Sequence, residues 1–556
     1  MIQSSTAYIL FALLSLVLFV VLYTTYHLVL APLFSPLHNL PGPPASGRLG
    51  THLHLLLDAE VSAQETERLV KQYGPSFRIQ GMGAHDERLM TVDPLAISHV
   101  LNRSTIYEKP WQSRRLITRL IGEGMLASEG NLHKRQRKVC NPAFSHQNLC
   151  ALMPVFLQKA EELRDKWSSL MTHHTQSIKI DVCSWIGRTT FDIIGLAGFG
   201  YSFRALHEET NEAYLAYRDM FEIVFSHTQG WKIILGIYFP LIHSIWPDEK
   251  TRVTEKSREI IYRVGRKLVQ DKKKQLLDED ETRHSKDLLT LLLKSNISKE
   301  IPENQRMSDD EILNQISTFL FAGSDTSALT LTWTLYFLAK HPEIQARLRA
   351  ELRNVHTDLT DSWVTVDDGS QVSSSDSKCH SNLLSRLEAL PLLDCVLRES
   401  LRLTPAIHSS IRVATKDDEI PFSDPITMRD GTKQSSVRIK KGQFVHVAIE
   451  GFNLDRDVWG GTGWVFDPDR WLDLPEKAKQ RPGIYPNVLT FSAGPRSCIG
   501  MMFAIIEMKV ILYTLLSSFD FSEPEDIVKS NVVLTRPFVR GRYKDGSQCP
   551  MTVRPC

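Results

Sequence analysis

One of the eight cysteines in this chain stands in a setting suited to chemistry. Cys498 closes the run Phe491-Ser492-Ala493-Gly494-Pro495-Arg496-Ser497-Cys498-Ile499-Gly500. Gly494, Pro495 and Gly500 predict a tight loop, with a helix starting near Met501. A thiol at a loop-to-helix junction meets backbone N–H groups and the positive helix end, and both favour the thiolate. The glycines allow close backbone approach to a flat ligand, and Arg496 sets a cation two residues before the sulfur. A thiolate so placed can bind a metal. The plainer reading is a buried structural thiol, which fits the other cysteines, at 140, 150, 183, 379, 395, 549 and 556. No two have C-x-x-C spacing, so a structural zinc site is not expected.

A second group of reactive side chains lies in Ala322-Gly323-Ser324-Asp325-Thr326-Ser327. These polar and small residues interrupt an otherwise apolar helical stretch. Glycine inside a helix costs about 1 kcal/mol relative to alanine. Small residues let something bulky lie against the backbone. Thr326 can bond back to the Ala322 carbonyl and loosen the helix. Asp325 needs partners if buried. Close packing on a neighbouring helix would explain the small residues equally well. A third group is Glu399 and Arg402, at i, i+3 on the apolar helical run Leu392–Leu403. Charges in so apolar a helix must be paired.

The three groups, with Phe466-Asp467-Pro468-Asp469-Arg470-Trp471, resemble the cytochrome P450 family. Its signature F-x-x-G-x-R-x-C-x-G is met by Phe491, Gly494, Arg496, Cys498 and Gly500. Its A-G-x-[DE]-T-[TS] pattern is met over 322–327, and F-x-P-x-R-W over 466–471. The resemblance spans about 60–540, with the motifs in the family's order. It implies haem b (iron protoporphyrin IX), with Cys498 as axial ligand of the iron, Arg496 on a propionate and Phe491 shielding the sulfur. Arg412, seven residues after Pro405, is a further propionate ligand in this reading. So are Arg137 and His133, although His133 stands where the family carries Trp. Thr326 and Asp325 would deliver protons to the activated oxygen. Glu399, Arg402 and Arg470 would form a structural network.

The resemblance also implies O2 and NADPH-derived electrons as co-substrates. The electrons would come from NADPH–cytochrome P450 reductase, with cytochrome b5 as a second donor. Lys134, Arg135 and Lys138 would offer that partner a basic surface. The wording His133-Lys134-Arg135-Gln136-Arg137 is similar to that of fungal members. Apolar stretches within 105–130, 215–245 and after Pro405 point to a lipophilic substrate: a terpenoid, steroid or aromatic of secondary metabolism, or a xenobiotic. A reductase-independent isomerase or lyase and a non-enzymatic membrane haem protein are the alternatives. An intact Asp325-Thr326 argues against both.

These groups must be held by a mostly α (α+β) body, a P450-type helical fold with small β-sheets and one N-terminal transmembrane helix. Ser308-Asp309-Asp310-Glu311 reads as a capping box. The helix it opens should run to Lys340, about 32 residues or roughly 48 Å. Strands are expected at Ser76–Gln80, Leu89–Val92, Val437–Ile439 and Phe444–Val447. Polar, Ser-rich Asp367–Ser377 reads as a surface loop. Trp231–Trp246 reads as paired core helices or as a membrane-dipping patch.

Tyr8–Leu30 is apolar and uncharged. It would span roughly 34 Å against about 30 Å of hydrocarbon. A secretory signal would carry a basic start and a shorter core. No Lys or Arg precedes it, while Arg48 and Arg68 follow, which places the rest of the chain in the cytosol. The sequons at Asn102 and Asn296 would then go unused. The expected layout is an anchor over 1–31, a Pro-rich hinge over 32–48 and a catalytic domain over 49–556, single-pass in the endoplasmic reticulum. A net charge of +1 and the anchor argue against a nucleic-acid partner, despite the basic run at 133–138.

Overall fold

The computed structural model describes residues 2–26, 34–44, 47, 50–56, 58, 60–171, 177–208, 211–224, 249–278, 287–299, 302–363, 375–485, 487–531 and 533–556. Trp231–Trp246 lies outside them. So does most of the Ser-rich insert; its last three residues open a helix, Ser375–Ala389, rather than ending a loop.

The elements used below run as follows. The helices are α1 Ile2–Thr25, α2 Pro94–Asn102, α3 Gly130–Cys140, α4 Val182–Ile193, α5 Glu212–Val224, α6 Asp309–Lys340, α7 Pro391–Leu403 and α8 Met501–Ser518. The strands are β1 Ser76–Gln80, β2 Glu87–Thr91, β3 Tyr107–Glu108, β4 Ile178–Asp181, β5 Ser410–Ala414, β6 Asp418–Thr427, β7 Lys433–Ile439, β8 Phe444–Val447, β9 Phe519–Ser522, β10 Ile527–Asn531, β11 Thr535–Val539 and β12 Pro550–Pro555. All four expected strands are present. The missed ones are short or proline-bearing: β6 holds Pro421 and Pro425, and its pairing with β7 shifts register between Pro421 and Ile426.

The described residues gather into two compact units. The first takes residues 1–110, 409–455 and 493–496. Its five-stranded sheet has the order β1-β2-β8-β5-β3, and β6 and β7 form a separate hairpin. Asp93 caps α2 through the Ala96 N–H at 2.8 Å and also accepts from the Ser423 N–H at 2.9 Å. One carboxylate thus fixes both the start of α2 and the hairpin beside it. In the same unit, α1 carries no charged residue and exposes Phe11 and Leu14 through Tyr23 where its side chains are described. The described helix covers Ile2–Thr25, and the end of the apolar run read from sequence, 27–30, lies outside the described residues.

The second unit takes residues 111–408, 456–492 and 497–556. Helix α6 is its axis, with most positions buried from Ile312 to Leu338. Its capping box is complete: Ser308 Oγ accepts from the Glu311 N–H at 3.2 Å, and Glu311 Oε2 accepts from the Ser308 N–H at 2.9 Å. Trp333 Nε1 donates to the Thr535 carbonyl at 3.0 Å, and Thr535 Oγ1 donates to the Pro405 carbonyl at 2.7 Å. These two bonds stitch β11 to α6 and to the chain leaving α7. The apolar helix α8 has the length and composition to cross a membrane, but it is a core helix, 72% buried.

Ser308→Ala removes one arm of the capping box. It should cost about 1 kcal/mol, read as a lower midpoint in chemical denaturation with an unchanged slope.

Candidate active site

The cysteine loop begins in a contact with α7. Thr490 Oγ1 donates to the Leu401 carbonyl at 2.7 Å, and the Phe491 ring packs edge-on to Tyr485 at 5.7 Å. Ser492 then adopts φ +62°, and the Cys498 N–H returns to the Phe491 carbonyl at 2.9 Å, closing the loop. Gly494 has φ +68°, and a Cβ there would lie 2.5 Å from the Leu101 carbonyl oxygen at the end of α2. Conformation and space both require glycine at this point.

Cys498 is exposed at its surface, yet burial pushes its thiol up. The two observations fit a sulfur that lines a recess rather than the outer surface. The Gly500 N–H and the Arg137 guanidinium pull the other way, toward thiolate, but only in part. The loop supplies the Gly500 N–H; the cation acting on the sulfur is Arg137 of α3 rather than Arg496, and burial outweighs both.

Arg137 lies on α3 with Nη1 donating to the Ser497 carbonyl at 2.7 Å and Nε donating to Asn141 at 2.9 Å. Its guanidinium is therefore on the backbone of the cysteine loop. His133, one helical turn earlier, is buried. Arg496 is half-buried in a single 3₁₀ turn. Lys134 and Lys138 are exposed. Arg135 is not part of that basic face: it pairs with Glu311 and donates to the Arg306 carbonyl at 2.8 Å.

In the first unit, Arg412 sits on β5 and is buried. Its hydrogen bonds among the described residues go to Ser410 Oγ at 2.6 Å and the Ile411 carbonyl at 2.9 Å. No carboxylate there pairs with it, and burial alone pushes it down to about 10. A desolvated guanidinium without a carboxylate partner suits an anionic ligand. Within the second unit, a cysteine turned into a recess fits a thiolate ligand for haem iron.

On α6, Ala322 is exposed, and Gly323, Asp325 and Thr326 are half-buried, in an otherwise buried helix. The bulk against Gly323 is Ile194, whose Cδ1 would lie 2.8 Å from an added Cβ. Thr326 Oγ1 donates to the Ala322 carbonyl at 2.7 Å, yet the helix stays regular through this point. Asp325 has the partner its burial demands: Arg536 of β11. The Tyr217 hydroxyl lies 2.8 Å from Ser324 Oγ, whose own proton goes to the Leu320 carbonyl. Asp325 and Arg536 line a cavity of about 230 Å³ with Asp181, Cys183, Tyr217 and Gln548. No motif marks Arg536, which lies 211 residues from Asp325.

Glu399, Arg402 and Arg470 come together around Glu399, which is fully buried. Arg402 donates Nε and Nη2 at 2.9 and 2.7 Å, and Arg470 donates Nε at 2.9 Å. Two donors escaped the sequence reading: Trp471 Nε1 at 3.0 Å and the Asp467 N–H at 3.1 Å. The Trp in F-x-P-x-R-W was the available signal for the first.

The sequence model of the family described as Cytochrome P450 matches residues 40–539. Cytochrome P450 monooxygenase 128 of Postia placenta is 37% identical over 96% of this chain and 95% of its own. Cytochrome P450 monooxygenase claP of Ampulloclitocybe clavipes is 32% identical over 88% of each chain. The ganoderic acid synthetase of Ganoderma lucidum is 33% identical over 88% of this chain and 89% of its own.

Glu399→Ala should leave two arginines unpaired and cost roughly 3–5 kcal/mol, seen as a large fall in denaturation midpoint. Gly494→Ala should cost about 1–3 kcal/mol through strain at positive φ and overpacking, with reduced haem content of the purified protein.

Proposed function

The chain belongs to the cytochrome P450 family, and we propose that this monooxygenase takes electrons from NADPH through a cytochrome P450 reductase to hydroxylate or otherwise oxidise a lipophilic small molecule. The observation that carries the reading is the Asp325–Arg536 pair, set at a polar cavity on a helix whose middle is open at Ala322. An isomerase or lyase has no need of a proton supply at that point.

Cys498 would hold the iron of haem b. Arg412, Arg496, Arg137 and His133 would be the propionate contacts that the family resemblance implies. Bound haem supplies the iron that activates O2, one atom of which enters the substrate. Cys498 sulfur donates electron density that favours O–O cleavage. Arg137 holds the loop backbone at Ser497, so the sulfur does not have to be ordered on binding. Thr326 presents a hydroxyl at the open face of α6, and Asp325 stands beside it as the acid–base group. Arg536 keeps that carboxylate oriented. The cavity gives it a route to water, from which spent protons can be replaced.

Lys134 and Lys138 are the exposed cations on α3 that an acidic electron donor would meet; either the reductase or cytochrome b5 suits them. Residues 1–31 would anchor the chain in the endoplasmic reticulum, 32–48 would act as a stiff hinge, and 49–556 would form the catalytic domain facing the cytosol. The uncharged α1, with its apolar side chains exposed, supports the anchor. The relative named for ganoderic acid makes secondary metabolism the first place to seek a substrate, among terpenoids, steroids and aromatics.

The purified protein, reduced and exposed to CO, should show the red-shifted Soret band of a thiolate complex, and Cys498→Ser should lose it. A Cys498→Ser protein that keeps the band would refute the ligand assignment. Thr326→Ala should cut product formation at least about tenfold while NADPH is still consumed and H2O2 accumulates. Undiminished turnover without reductase would instead favour the isomerase class.

A further inference from the structure

Helix α8 begins three residues after Cys498 and is buried on nearly every face. It carries one carboxyl group, Glu507, with no solvent exposure. Neither Glu507 oxygen has a hydrogen-bond partner. The polar group that acts on it is the Ser327 hydroxyl of α6, and no cation contributes. Burial pushes Glu507 up to about 8, against a small opposing pull from Ser327. An ionised carboxylate with no cation and no donors is not tenable in such a place, so the group is neutral around pH 7.

Ser327 is exceptional in its own helix. Seven other hydroxyls on α6, at 317, 318, 324, 326, 330, 332 and 334, each donate to the carbonyl four residues back. Ser327 Oγ, equally buried, makes no such bond. It is left to serve the next helix, and Glu507 is what stands there. A neutral carboxyl has an O–H that needs an acceptor, and the side chain that acts on Glu507 is Ser327, itself buried and without a bond to its own backbone.

We propose that Glu507 is a neutral carboxylic acid whose O–H donates to Ser327 Oγ, forming a strut between the helix that follows the cysteine loop and the helix that carries Thr326. Glu507 is a positioning residue for the monooxygenase reaction. The strut fixes the register of α6 beside Thr326, one residue from the contact, against the element that starts at the thiolate. This role rests on the reading of Asp325 and Thr326 as the proton supply; the bond itself does not.

Two measurements on the holoenzyme separate the bond from its role. Infrared difference spectra at pH 7 between wild type and Glu507→Gln should show the carbonyl stretch of one protonated carboxylic acid in the wild type. Ser327→Ala should move that band to higher frequency as its hydrogen bond is lost. No such band in the wild type, or a band that Ser327→Ala leaves in place, overturns the strut. In turnover with reductase, the share of NADPH lost as H2O2 should rise about two- to tenfold in Ser327→Ala and in Glu507→Leu, the range one lost hydrogen bond gives. The double variant should do no more than either single one. Glu507→Gln, which keeps a donor, should recover most of the loss seen in Glu507→Leu. An unchanged peroxide share in Ser327→Ala overturns the positioning role, and Ser327→Ala decides this even if Glu507→Leu does not fold. Thr326→Ala serves as the control: if it too leaves the peroxide share unchanged, the proton-supply reading has failed, and the infrared arm still decides the strut.

Discussion

Glu399 has no contact with solvent, so both oxygens of its carboxylate must be met by the protein. They accept from two arginines, one indole and one backbone N–H. Those donors belong to α7 and to the segment 467–471. Arg402 reaches further, donating to the Gly463 carbonyl at 2.6 Å, and Arg470 donates to the Thr462 carbonyl at 3.0 Å. Trp459 lies against both guanidiniums. A single buried charge thus fixes a stretch with little regular structure of its own. Through Leu401, next to Arg402, the same helix receives Thr490 at the start of the cysteine loop. The loop is closed by backbone hydrogen bonds before any metal is considered, and that matters because burial alone pushes the Cys498 thiol the wrong way. A ligand that must give up a proton against desolvation gains from having no ordering left to do.

Three carboxyl groups in the second unit, two buried and one half-buried, meet the cost of desolvation in three ways. Glu399 is saturated with donors. Asp325 is paired with one guanidinium and borders a cavity. Glu507 has neither cation nor cavity, which leaves protonation. The degree of satisfaction tracks the task each can perform. A group that must stay fixed is surrounded, and a group that must pass protons keeps one side open.

Much of this was legible from sequence wherever spacing along the chain is itself the geometry. The capping box at Ser308, the i, i+3 pairing of Glu399 and Arg402 and the turn around Gly494 are local, and the structure has all three. Long-range partners were not legible. Nothing near Arg536 distinguishes it from any arginine on a short strand. Arg135 reads as one more cation in a basic run until Glu311, 176 residues away, takes it off the surface. Arg137 matches a propionate-ligand pattern, yet its hydrogen bonds among the described residues go to loop backbone and Asn141. The hairpin β6–β7 was hidden because prolines that discourage strands are tolerated at a register shift.

The most instructive correction concerns Thr326. Its bond to the Ala322 carbonyl was expected to loosen the helix. The bond exists, but six other hydroxyls on α6 make the same bond, and the helix is regular throughout. Back-bonding is here the ordinary way a buried hydroxyl satisfies itself. It cannot single out one threonine. What does is context: Ala322 is exposed beside half-buried neighbours, Asp325 is held by a cation from another element, and Ser327 makes no bond to its own backbone. Thr326 lies between an ion-paired acid at a cavity and a serine facing a neutral acid with no cavity beside it. Its chemistry follows from that placement rather than from a bond it shares with most of the helix.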